Sequence, residues 1–74
     1  MEFDLIRDAI AKQLRIAPEK ITEDSRLAED LKADSLDIVE LVMDMEQEYD
    51  IEIPDEDLVK LRTVGDIYNY LKSR

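Results

Sequence analysis

What most constrains the fold is how rarely the chain is punctuated: it has one glycine and two prolines in 74 residues. Tight hairpins lean on glycine at left-handed turn positions, so a β architecture has little to turn on. Apolar residues recur instead at helical spacing, the mark of helices that each bury one face. The fold class expected is therefore all-α: a small four-helix bundle, three main helices plus one short helix, with a long loop after helix one. Residues 1–74 are read as a single domain. A domain of this size buries only about 60% of its unfolded surface, which implies marginal stability.

The first helix is expected from about Glu2 to Arg15, with Phe3, Ile6, Ile10 and Leu14 on one stripe, closed by Pro18. From Ile16 to Asp34 the period is lost, and Ile21, Leu27 and Leu31 stand as isolated anchors able to pin a loop over a core. Loops longer than about 15 residues are usually functional or disordered. A second helix should start after Asp34 as N-cap, with Asp37 adding charge near the positive end of the dipole, and run to about Tyr49. Asp50 to Ile53 alternates like a strand but has no partner, so it reads as a linker with both isoleucines inward. Pro54 suits the first position of a short third helix to Leu61, whose N-terminal turn carries Asp55, Glu56 and Asp57. Thr63 with Asp66 resembles a capping box for a last helix to about Ser73, with Val64, Ile67, Tyr68 and Leu71 facing in.

Composition excludes whole classes of chemistry. The chain has no cysteine and no histidine. Ser-His and Cys-His nucleophile pairs, thiolates and imidazole metal ligands are thus all ruled out, and no metal site is expected. Twenty acidic residues against ten basic ones leave a net charge of −10. That balance argues against nucleic acid and anionic lipid and favours partners with basic surfaces. No segment approaches a membrane span, no Asp-x-Asp-x-Asp-Gly calcium loop exists, and a cytoplasmic location is expected.

The second helix carries two apolar groups. Ile38, Leu41, Val42, Met45 and Tyr49 make a core stripe, while Leu36, Val39 and Met43 form a facet centred roughly 140° away, too far round to share that core. Asp37, Glu40, Glu46 and Gln47 edge this facet, and Ser35 lies at the same end of the helix. An apolar patch rimmed by acid beside an exposed hydroxyl suits docking, and methionine suits a surface that fits several partners. With no histidine or cysteine in the chain to make a nucleophile pair, Ser35 is expected to react only if another protein activates it.

Asp34-Ser35-Leu36-Asp37 followed by Val39-Glu40-Leu41-Val42-Met43 resembles the attachment motif of acyl carrier proteins. Ile53-Pro54-Asp55-Glu56-Asp57 and Thr63-Val64-Gly65-Asp66 resemble the same family's downstream half, so the resemblance spans nearly the whole chain. It implies that Ser35, with Asp34 beside it, carries phosphopantetheine through a phosphodiester. Acyl groups would then ride as thioesters on the arm's thiol. It also implies that Leu36, Val39, Glu40, Met43 and Glu46, with Asp37, meet phosphopantetheinyl transferase and acyl-transferring enzymes. The chain would be a non-enzymatic, monomeric carrier, most simply in dissociated fatty acid biosynthesis. The alternatives are a polyketide, aminoacyl or lipid-modifying carrier, or an unmodified acidic interaction module in which Ser35 merely caps. One departure is visible: Lys32 stands where the family usually has glycine. Outward movement of the short third helix would open an acyl-chain pocket among Met45, Ile53, Leu58 and Leu61.

Overall fold

A computed structural model of the chain describes residues 2–73. Its four α-helices are α1 (Phe3–Leu14), α2 (Ser35–Tyr49), α3 (Asp55–Leu58) and α4 (Val64–Lys72), with a 3-10 turn at Pro18–Lys20. Among the described residues no strand forms, and a single antiparallel bridge pairs Arg26 with Thr63. Helices α2 and α4 both pack against α1.

Spacing decides which side chains enter the core. On α1, Ile6 and Ile10 are wholly buried and Ala11 nearly so, while Phe3 and Leu14 pack half-buried at the two ends of the stripe. Each fully buried isoleucine is worth about 1.5–3 kcal/mol relative to exposure. The Phe3 ring meets Tyr68 of α4 edge-on, with centroids 5.5 Å apart. Helix α1 ends before the expected stop. Arg15 turns left-handed at φ 59°, and its amide and that of Ile16 both reach back to the carbonyl of Ala11. The helix is closed by that cap, and Pro18 instead opens the 3-10 turn.

The long connection is ordered, because its three anchors Ile21, Leu27 and Leu31 are buried as the sequence suggested. Backbone bonds tie it to the start of α4: the Leu27 amide to the Arg62 carbonyl (2.9 Å), Val64 to Ser25 (3.0 Å) and Gly65 to Glu23 (2.8 Å). The buried Ser25 hydroxyl accepts from the Thr22 amide at 2.9 Å. Arg26 grips Asp30 through Nε (3.1 Å) and a terminal nitrogen (3.0 Å). Those hydrogen bonds hold the Asp30 carboxyl below the usual carboxylate range.

Helix α3 is shorter than its sequence pattern. Pro54 is its N-cap, not its first helical residue, and the helix stops at Leu58. Beyond it the chain continues to Leu61 by tighter turns, Lys60 bonding back to Asp57 and Leu61 to Leu58. Such i to i+3 bonds are what remains when a helix is too short to propagate. Tyr70 of α4 steadies α3 by donating to Asp57 Oδ2 at 2.8 Å. The Thr63 and Asp66 capping box forms in full, with Val64, Ile67 and Leu71 buried behind it and Tyr68 half-buried.

Candidate functional site

The N-terminus of α2 is built by two aspartates. Asp34 Oδ1 accepts from the Asp37 amide at 2.9 Å, and Asp37 Oδ2 accepts from the Asp34 amide at 3.2 Å. This reciprocal box fixes the turn without Ser35, which is the first helical residue and is exposed. Its hydroxyl is therefore free of structural duty. Just upstream, Lys32 lies in the left-handed region at φ 61°, a conformation that glycine adopts without a side-chain penalty. The departure from the family pattern thus falls at a position with a physical preference for glycine.

Helix α2 presents the two apolar faces expected of it. Leu41, Val42 and Met45 are buried, with Ile38 and Tyr49 half-buried beside them. Burial also pushes the Tyr49 phenol above its ordinary pKa. On the other face, Leu36, Val39 and Met43 are 65%, 41% and 54% exposed, far more than a core could tolerate. Ser35 adjoins this face at its N-terminal edge.

The acidic rim is more than a fringe of charge. Asp37 is committed to the capping box. Glu40 accepts from Gln13 Nε2 of α1 at 3.3 Å, a link between residues 27 positions apart that no local pattern announces. Glu46 is half-buried, and its Oε2 accepts from the Ile53 amide at 2.9 Å. Sequence reasoning missed that bond, because α2 must first turn back at Asp50, left-handed at φ 53°, before Ile53 can approach.

Met45, Ile53 and Leu61 are brought together in the buried core, with Leu58 half-buried against it. A separate groove of about 710 Å³ opens between α1 and the C-terminal half of α2, over Leu41 and Met45. Asp44 on its wall lies about 180° round the helix from Ser35, so the groove faces away from the hydroxyl. Among the described residues no three acidic side chains converge as a metal site, and no helix is long and apolar enough to cross a membrane.

Comparison with known proteins agrees with this geometry. Residues 4–71 match the family model described as phosphopantetheine attachment site. The acyl carrier protein of Wolinella succinogenes is 49% identical over 71 residues, covering 96% of this chain and 93% of that one. That of Clostridium acetobutylicum is 51% identical over 73 residues, covering 99% and 95%. A solved structure of a candidate acyl carrier protein from Mycobacterium tuberculosis superposes with a TM-score of 0.88 at 33% identity, covering 97% of both chains. A family match over nearly the whole chain, with relatives near half identity, shows that it belongs to the acyl carrier proteins, non-catalytic carriers that bear phosphopantetheine.

Proposed function

We propose that Ser35 bears the phosphopantetheine and that the chain ferries acyl thioesters among the enzymes of dissociated fatty acid biosynthesis. It would do so as a monomeric cytoplasmic carrier of one domain. The observation that carries the site is the division of labour at the head of α2: Asp34 and Asp37 cap the helix, leaving the neighbouring hydroxyl exposed. The group fits there. A helix N-terminus leaves amides unpaired and offers a positive dipole end, both suited to a phosphodiester. Attachment joins the Ser35 oxygen to phosphorus of the coenzyme A pyrophosphate. The nucleotide phosphate leaves, and the hydroxyl proton passes to a base of the transferase, since this chain has no histidine. The bound group supplies the thiol that the sequence lacks.

Leu36, Val39 and Met43, rimmed by Asp37, Glu40 and Glu46, are assigned to docking on basic enzyme surfaces. Exposure of an apolar facet inside an acidic rim supports that assignment, and separate partner enzymes are what a dissociated pathway requires. Met45, Ile53, Leu58 and Leu61 are assigned to the acyl chain, sheltered when α3 moves outward.

Intact mass after incubation with coenzyme A and a phosphopantetheinyl transferase tests the site. Wild type should gain the mass of one phosphopantetheine. Ser35→Ala should gain none while its far-ultraviolet circular dichroism stays unchanged. A mutant that still gains the mass would refute the attachment site, and one that unfolds would refute the capping assignment.

A further inference from the structure

Two of the chain's ten basic residues sit where a side chain is least welcome. Arg15 closes α1 at φ 59° and Lys32 precedes the head of α2 at φ 61°, both in the left-handed region that favours glycine. The fold brings these two strained positions together. With Gln13, Asp37 and Glu40 they line one polar cleft of about 320 Å³ between the end of α1 and the first two turns of α2. Both cations are exposed, and among the described residues neither side chain makes a hydrogen bond or ion pair. Asp30, the carboxylate that feels the Lys32 charge, is already gripped by Arg26. The acids of the cleft are engaged too: Asp37 in the helix cap and Glu40 with Gln13.

We propose that Arg15 and Lys32 form a cationic clamp for a carboxylate on the phosphopantetheinyl transferase, a contact opposite in sign to the acidic docking face beside it. This rests on assigning Ser35 to attachment and the Leu36, Val39 and Met43 face to docking. The cleft holds two positive and two negative side chains, so neither a wholly basic surface nor a free dianion complements it: the first meets Arg15 and Lys32, the second Asp37 and Glu40. A surface with a carboxylate set among its basic residues satisfies both. The transferase is the partner that fits, because it must reach the Ser35 hydroxyl whatever acyl group follows, and Lys32 and Asp37 flank that serine in the chain. The clamp gives the docked pair a direction. An apolar facet rimmed by acid attracts a basic surface in several orientations, whereas one positive end admits only the orientation that sets the partner's carboxylate against it. Backbone strain at both positions is what the fold tolerates to keep the two charges there.

Steady-state loading of the full chain from coenzyme A, followed by intact mass at varied carrier concentration, tests the clamp. The sign of the effect decides. Long-range attraction between a chain of net charge −10 and a basic enzyme predicts that removing a cation lowers KM. The clamp predicts the opposite: Arg15→Gln and Lys32→Gln should each raise KM about two- to fivefold with kcat unchanged, the range of an exposed ion pair, and the rise should shrink with salt. Lys32→Arg should keep the wild-type KM, and Lys20→Gln, which removes an exposed cation outside the cleft, should not raise it. Lys32→Gly separates function from folding, since it relieves the left-handed backbone and should give a more stable chain that is the poorer substrate. A KM that falls or stays level in either glutamine variant overturns the clamp while leaving attachment at Ser35 intact, as does a rise matched by Lys20→Gln. A wild-type chain that gains no cofactor mass removes the attachment site and the clamp with it.

Discussion

Gly65 is the one glycine of the chain and sits in the first turn of α4. Propensity alone says that Gly65→Ala should stabilise, since alanine is better than glycine inside a helix by about 1 kcal/mol. The structure says the reverse. A Cβ at position 65 would stand 2.9 Å from the Glu23 carbonyl oxygen and 3.4 Å from Glu23 Cβ. The obstacle is main chain and cannot rotate away. Glu23 cannot retreat cheaply either, because its carbonyl accepts from the Gly65 amide at 2.8 Å and the adjoining loop is tied to Val64 through Ser25. Forced displacement in a packed site costs about 1–3 kcal/mol. Losing the backbone bond adds about 1 kcal/mol. Against the gain from propensity, the net is a loss of about 1–3 kcal/mol, or a fall in Tm of about 4–8 °C per kcal/mol for a domain of this size. Urea and thermal unfolding followed by circular dichroism measure it, with an unchanged m-value showing that only stability moved. Asn69→Ala, exposed on the same helix, is the control that reads propensity without a clash and should stabilise by up to about 0.7 kcal/mol. If Gly65→Ala matches Asn69→Ala in sign, the close approach of the loop is not what requires glycine.

Lys32→Gly should raise stability by about 0.5–1 kcal/mol. Relief of a left-handed penalty of about 1–2 kcal/mol outweighs the entropy that glycine adds to the unfolded chain, and Lys32→Ala, equally strained, should show no such gain in urea melts. Glu40→Lys and Val39→Ala should both slow loading by the transferase, but only the Glu40 effect should shrink as salt rises, since it acts through screened charge while Val39 contributes apolar contact; equal salt responses refute that division. Across a series of saturated acyl forms, Tm should climb with chain length until the space under α3 is full, each methylene adding at most about 0.8 kcal/mol, and a flat series would place the chain outside.

The helices themselves were legible in the sequence because their causes are local. Asp34 with Asp37 and Thr63 with Asp66 specify two helix starts through bonds three residues apart, and the stripe through Ile6 and Ile10 names the buried face of α1. The second facet of α2 was equally legible, since Leu36, Val39 and Met43 are set off from the core stripe by the helical period alone. The expected end of α2 at Tyr49 held, whereas that of α1 shifted where Arg15 turns left-handed although it is not glycine, and that of α3 shifted from Leu61 to Leu58, where the helix gives way to tighter turns. Tertiary structure alone decided the rest. That Gly65 must be glycine depends on Glu23, that Glu40 meets Gln13 depends on how α1 and α2 pack, and that Glu46 holds Ile53 depends on the reversal at Asp50. A sequence specifies contacts within a turn or two of helix. Contacts between segments far apart along the chain exist only once the core has set where those segments lie, and in this carrier they determine how the linker into α3 is held against α2 and how α3 is held against α4.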